Sequence, residues 1–376
     1  MEETIRLTED LIRFKSTHSN PSEIQRCADY IEEFFSANAI DYQRLNFQNF
    51  PSLLAVPRSG QFAVILMSHI DVVEGADALF EPRRQDGKLF GRGSIDDKYA
   101  AALSLVLLKE HLQRCRNRGG GQQDLPFGIL ITTDEEIGGA NGAKKVLPLV
   151  KADFCIALDG GSVDKIVVKE KGILRLKLIT EGKSAHGARP WLGENAIEKL
   201  IEDYHIIRTF FKDTLPDHWH RTINFSRIKA GASVNQVPDS AEALFDIRYT
   251  ENDNVDALVE AIQGKIGGRL VIEEKEPLFM GGESPYLDEL LKFAEGTGTG
   301  FEHGASDARH LSQFGIKGIV WGADGDMSQH TAEEHVNIAS VFKLYEVLDK
   351  YMDNLTAVVR GGVPPSTSNM EPKGGR

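Results

Sequence analysis

The chain is poor in the features that mark several large protein classes. Its 376 residues include three cysteines, Cys27, Cys115 and Cys155, in no paired spacing. That pattern argues against a disulfide framework and for a reducing, cytoplasmic setting. No apolar stretch approaches the length of a membrane span. The acidic, amphipathic start, Met1 to Asp10, lacks the basic residues and apolar run of a secretory leader. Lys and Arg number 43 against 56 Asp and Glu, a net charge of −13, which argues against a nucleic-acid partner, because phosphate binding needs a basic face. No Gly-x-Gly-x-x-Gly follows the first apolar strand, which removes a dinucleotide-dependent dehydrogenase. Gly 36 and Pro 14 are ordinary counts and exclude a fibrous or disordered chain.

What is present is a rhythm of short, continuously apolar runs separated by helical patterns. Phe62 to Met67, Phe127 to Ile131, Phe154 to Leu158 and Gly318 to Trp321 read as strands buried on both faces, as a parallel sheet requires. Helical spacing covers Leu7 to Phe14, Ile24 to Ala37 (with Ser22 as its cap), Tyr99 to Leu112, Ala143 to Val150, Leu287 to Ala294 and Ile338 to Tyr351. This alternation predicts an α/β fold, a doubly wound and mostly parallel sheet.

The middle of the chain changes to period-two strands. Ile173 to Thr180, Arg221 to Lys229, Ala241 to Tyr249 and a short Leu270 to Glu274 alternate, with helices over Ala196 to Phe211 and Asn254 to Ile266. The expected organisation is a discontinuous catalytic domain, residues 1–171 and 285–360, with an α+β domain inserted at 172–284. The Gly-, Pro- and Ser-rich tail 361–376 is expected to be disordered.

The apolar strands end in metal-capable side chains. Met67 leads to Ser68-His69-Ile70-Asp71, Ile131 to Thr132-Thr133-Asp134-Glu135-Glu136, Leu158 to Asp159, and Trp321, through a loop, to His330. Functional groups of an open α/β sheet gather beyond the carboxyl ends of its strands, so these residues can converge. Each alone has an ordinary explanation. His69 fits a core histidine, Glu135 and Glu136 a helix N-terminus, Asp96 and Asp97 caps, and Asp159 a turn. Independent ordinary causes do not place acids and imidazoles at four strand ends. Imidazole and carboxylate are zinc ligands, and a carboxylate can bridge two ions. No cysteine stands at any of these positions, which argues against a closed structural zinc site.

Four motifs carry a resemblance. His69-Ile-Asp71, Gly91-Arg-Gly-Ser-Ile-Asp96-Asp-Lys98, Asp134-Glu135-Glu136-Ile-Gly138 and Ser184-Ala-His186-Gly are similar to the signatures of the co-catalytic di-zinc peptidase and deacylase family. That family holds aminoacylases, acetylornithine deacetylase, succinyl-diaminopimelate desuccinylase and glutamate carboxypeptidase, and the similarity runs from about Glu3 to Tyr351. The resemblance implies two Zn2+ ions, with Co2+ or Mn2+ as substitutes. It implies that His69 and Asp159 bind the first, Glu136 and His330 the second, and that Asp96 bridges both. Asp71 would orient His69, and Glu135 would be the general base acting on a zinc-bridged water. The inserted domain would be a lid that also forms a homodimer, with His186 reaching an active site, its own or the partner subunit's, to stabilise the oxyanion. Asn235, Arg248 and Arg309 look like contacts to the substrate or its carboxylate. Arg248 also fits a solvated strand position, and Arg309 a pair with Asp307 or Glu302.

The activity so implied is hydrolysis of the amide bond of an N-acyl amino acid or small peptide, with the lid motif Gly182 to Trp191 favouring the deacylase. A di- or tripeptidase or aminopeptidase on a similar core is the alternative enzyme, and a catalytically inactive, peptidase-like binding protein is the reading from another class. His335 rivals His330 as ligand, and His18, His205, His218, His220, His303 and His310 stand outside the predicted chemistry. Departures from the family pattern are Glu74 where a proline is common, Tyr99 where a small residue is usual and expected to narrow the pocket floor, and an expanded loop from Arg116 to Pro126.

Overall fold

The computed structural model describes residues 1–361 except 58–60, 214 and 217. Beyond 361, the tail expected to be disordered lies outside the described residues. The chain divides into two compact units, one of Met1–Lys169, Met280–Phe301 and Ser306–Arg376, the other of Glu170–Phe279 and Glu302–Ala305.

The first unit is built on a mixed, centrally parallel sheet. Across its width the strands run Gln43–Phe47, Phe50–Ala55, Phe127–Thr132, Phe62–His69, Ala152–Ala157, Lys317–Val320 and Lys165–Glu170. The four in the middle, from Phe127–Thr132 to Lys317–Val320, are mutually parallel, and antiparallel neighbours flank them. All eight positions of Phe62–His69 are buried. Val64 and Leu66 join the core formed with the helix Lys98–Asn117, while Ile65 and Met67, pointing the other way, are also fully or almost fully covered. Burial on both faces is what the unbroken apolar runs encode.

The helix Lys98–Asn117 is buried along Tyr99 to Leu108 and packs with the helices Glu2–Ile12 and Ile338–Gly361. The helix Pro21–Ala37 starts with Pro21 at its first turn, and Asn20, not Ser22, occupies the cap position; Ser22 Oγ instead donates to Asn20 Oδ1. Proline suits that position because its missing N–H would have no partner there. The edge strand Gln43–Phe47, its neighbour Phe50–Ala55 and a small sheet of Arg83–Gln85, Lys88–Phe90 and His335–Asn337 were not apparent from periodicity. Their segments are short and mixed in polarity.

The second unit is a four-stranded antiparallel sheet in the order Thr222–Ala230, Ser240–Tyr249, Gly172–Glu181, Arg269–Glu276. Leu174, Leu176 and Leu178 alternate onto one face with Ala243, Phe245 and Ile247, against the helices Ala196–Arg208 and Val255–Gln263. Asn195 and Asn254 cap those helices through their side-chain oxygens.

Candidate metal centre

The parallel register sets the site. His69 is aligned with Thr132, and Met67 with Ala157, so the segments that follow these strands leave the sheet at one end. His69 emerges from its strand, Glu135 and Glu136 form a short turn after Asp134, and Asp159 follows Ala157 by two residues. Asp96 lies just ahead of the buried helix Lys98–Asn117. His330 arrives from a loop with φ of 62°, a left-handed conformation uncommon outside glycine, which requires surrounding contacts to hold it.

These side chains form two overlapping groups, His69 with Asp96 and Asp159, and Asp96 with Glu136 and His330; in each, the ligand atoms lie within 4.8 Å of one another. His69 Nε2 is 3.0 Å from Asp96 Oδ1 and 3.8 Å from Asp159 Oδ2. His330 Nε2 is 3.0 Å from Asp96 Oδ2 and 3.2 Å from Glu136 Oε2. Two donors each about 2.1 Å from a tetrahedral ion stand about 3.4 Å apart. The observed spacings straddle that value, and each group offers one imidazole and two carboxylates, so the donor set fits a pair of divalent ions sharing Asp96.

Around these groups the chain fixes their orientation. His69 Nδ1 lies 3.0 Å from the Asp71 carbonyl and 3.4 Å from its Oδ1, which leaves Nε2 free to face Asp96. Asp71, fully buried, accepts the backbone N–H of Glu135 at Oδ1 and of Glu136 at Oδ2, so one carboxylate ties the first strand end to the second. Glu136 is steadied by Val73 N–H on its Oε1, 3.2 Å away. Asp134 is no ligand here: it accepts the N–H groups of Asn141 and Gly142, and a Cβ at Gly142 would stand 2.3 Å from its Oδ1.

The electrostatics follow from crowding acids and imidazoles at a site that is buried around His69 and open to solvent at His330. Burial, and then the neighbouring Asp159, push the Glu135 carboxyl well above the usual carboxylate range, the direction a proton acceptor operating near neutrality needs. Hydrogen bonds to Asp96, then Glu136, raise His330 to about 10. Burial opposes charge on His69, yet its bonds to Asp71 and Asp96 overcome it and raise that imidazole too.

The remaining predicted residues have definite places. Arg309, only 2% exposed, donates to the Ser306 carbonyl and sets a guanidinium nitrogen 3.6 Å from Glu135 Oε1, with Asp307 Oδ1 at 3.8 Å. His335 is outside both groups, bonded to Asp326 and beside Lys88. Tyr99 does not line a pocket floor: it is 1% exposed, and its hydroxyl donates to the Leu158 carbonyl and accepts the Ala323 N–H. It thus joins the approach to Asp159 with the loop that leads to His330. In the second unit, His186 is exposed with Nδ1 accepting the Ala188 N–H, and Gly187 N–H bonds the Asn235 carbonyl, so His186 and Asn235 share one loop cluster. Arg248 is paired with Asp246 at 2.7 Å.

Sequence reasoning missed Glu334. It is buried, accepts the Gly93 N–H at 2.8 Å, and pairs with buried Arg92, bracing the loop that carries Asp96. Its partner lies 242 residues away, so no local pattern reveals it.

A profile of peptidase family M20/M25/M40 matches residues 65–354, a span that contains all of these candidate ligands. The chain belongs to this family. It is therefore a metal-dependent amidohydrolase, as the four motifs led us to expect. Among relatives, the succinyl-diaminopimelate desuccinylase of Burkholderia multivorans is 27% identical, over 95% of this chain and all of that one. Two solved family structures share the fold. A tripeptidase from Staphylococcus aureus has TM-score 0.76 at 21% identity, covering 95% of this chain and 98% of that one. The metallo-carboxypeptidase Sso-CP2 from Sulfolobus solfataricus has TM-score 0.75 at 18% identity, covering 95% and 100%.

Proposed function

We propose that the protein hydrolyses the amide bond of an N-acyl amino acid, with Glu135 as general base. The observation that carries this reading is the pair of ligand groups sharing Asp96, with Glu135 adjacent and not part of either. His69 and Asp159 would hold one divalent ion, Glu136 and His330 the other, and Asp96 both; zinc is the ion this donor set suits best. Such a pair supplies Lewis acidity to a substrate carbonyl and acidifies water.

Glu135, held by Arg309 and desolvated, takes the proton from the attacking water and passes it to the departing amine nitrogen. Asp71 keeps His69 in the tautomer that presents Nε2. His186 stabilises the oxyanion, and Asn235 and Arg248 take the substrate carboxylate, for which a guanidinium is well shaped. The burial of Arg309 suits it to steadying Glu135, leaving the substrate to the other two.

The N-acyl preference draws on the Gly182 to Trp191 motif and on the desuccinylase relative; the tripeptidase and carboxypeptidase structures favour a small peptide as the second reading. The second unit serves as a lid and dimerises the chain through Thr222–Ala230, the outermost strand of its sheet among the described residues, whose Ile228 is 51% exposed. Three buried free cysteines suit a reducing, cytoplasmic setting. No helix among the described residues is long and apolar enough to cross a membrane.

The test is a panel of N-acetyl and N-succinyl amino acids beside di- and tripeptides, assayed on metal-reconstituted protein. Turnover of the N-acyl substrates at the higher kcat/KM supports the proposal. Turnover confined to free-amine peptides replaces it with the peptidase reading.

A further inference from the structure

We propose that His18, on a loop outside the family motifs, is a positioning residue for the metal centre: its Nε2–H fixes Asp71 and, through Asp71, both His69 and the backbone carrying Glu135 and Glu136. The inference rests on the reading of that centre given above.

Asp71 is the junction of the site. It is fully buried, and its Oδ2 accepts two donors, the Glu136 N–H at 3.0 Å and His18 Nε2 at 2.9 Å. Its Oδ1 faces His69 Nδ1 and the Glu135 N–H. A carboxylate that must aim at an imidazole on one side needs its rotation about the last side-chain bond stopped from the other. His18 supplies that stop. Without it, the carboxylate is anchored only by the adjacent Glu135 and Glu136 amides, both on one segment, and can shift with that segment.

The loop that carries His18 is itself clamped to the strand extension bearing Asp71. Ser16 Oγ donates to the Ile70 carbonyl at 2.6 Å, Val72 N–H donates to the Ser16 carbonyl, and Ser19 N–H donates to Glu74 Oε1. The ring leans on Phe50, centroid to centroid 5.7 Å at 50°. Backbone ties on both sides of residue 18 and an aromatic backstop define a placed imidazole, where a solvated one would need none of them. Glu74, which stands where the family often has proline, supplies one of those ties.

The experiment compares wild type, His18→Leu and His18→Gln by zinc competition with a chromophoric chelator, together with kcat and KM under metal saturation. Outer partners of metal ligands typically contribute 10- to 100-fold in affinity. We expect His18→Leu to weaken zinc binding about tenfold with KM unchanged. His18→Gln, whose amide nitrogen reaches the place of Nε2, should restore affinity to within about threefold of wild type. Should the leucine variant not fold, His18→Asn, too short to reach Asp71, takes its place with the same expectation. Unchanged zinc affinity in the leucine variant overturns the proposal, as does equal loss in leucine and glutamine variants, or an effect confined to KM. Wild-type protein that fails to bind zinc overturns instead the reading of the centre.

Discussion

His69 and His330 face the two different oxygens of one carboxylate: each Nε2 lies 3.0 Å from Asp96, the first from Oδ1 and the second from Oδ2. The sheet delivers one imidazole and a loop near the end of the fold delivers the other. Their meeting on a single aspartate is what turns two three-residue clusters into one shared site.

Removing the proton acceptor while leaving its shape should separate chemistry from metal binding. Glu135 belongs to neither ligand group. Glu135→Gln is expected to keep the metal content of the native enzyme and to lower kcat by about 10²–10⁴-fold. Inductively coupled plasma mass spectrometry beside a steady-state assay reads both. A glutamine variant of full activity contradicts the general-base role.

The Arg92–Glu334 pair is buried on both sides, with side-chain exposures of 4% and 0%. Glu334→Gln leaves the Arg92 charge without its counterpart in a dry environment, and is expected to reduce the stability of the first unit by about 3–5 kcal/mol. Thermal or urea unfolding of the metal-loaded variant measures this. Because the same carboxylate accepts the Gly93 N–H, metal affinity should fall as well.

The hydroxyl of Tyr99 gives a contrast between two roles. If it joins the Leu158 and Ala323 backbones, as the hydrogen bonds indicate, Tyr99→Phe leaves a buried N–H and a carbonyl unpaired. That should reduce stability by about 1–3 kcal/mol and leave substrate preference unaltered. A change in acyl-group preference with unchanged stability would return Tyr99 to the pocket. A Cβ at Gly322 would stand 2.5 Å from the same hydroxyl, so Gly322→Ala should be destabilising too.

Chelation should expose a pH dependence that metal conceals. In the stripped protein His330 titrates near 10, raised by its bonds to Asp96 and Glu136, against about 6.5 in an unfolded chain. A base whose folded value is raised contributes stability that is complete below about 6.5 and disappears as pH climbs through about 10. The chelated protein should therefore lose melting temperature across that window. Zinc uptake must displace the proton, so apparent affinity rises with pH over the same range. A melting temperature independent of pH between 6.5 and 10 in the chelated protein contradicts this assignment.

The apolar strands and the residues that follow them were plain in the sequence because parallel sheets bury both faces and place chemistry at one end. His69, Asp96, Glu135, Glu136, Asp159 and His330 could be read as a set for that reason, aided by four motifs. Edge strands such as Gln43–Phe47 escaped notice, being short and half-exposed, and so did the three-stranded sheet around Lys88–Phe90. Hidden also were the residues that act on the site through another side chain. His18 lies 53 residues from Asp71, and Tyr99 works through a hydroxyl bonded to distant backbone, pairings that exist only once the chain is folded. A buried tyrosine and a pocket-lining one look alike in one dimension.

The most direct measurement is anomalous diffraction at the zinc edge from crystals of the reconstituted wild-type enzyme, read beside the metal content of Asp96→Asn in solution. The account predicts two peaks flanking Asp96, one toward His69 and Asp159 and one toward Glu136 and His330, and near-complete loss of both ions in the variant. A single peak away from Asp96, or an asparagine variant that keeps its full metal content, contradicts it.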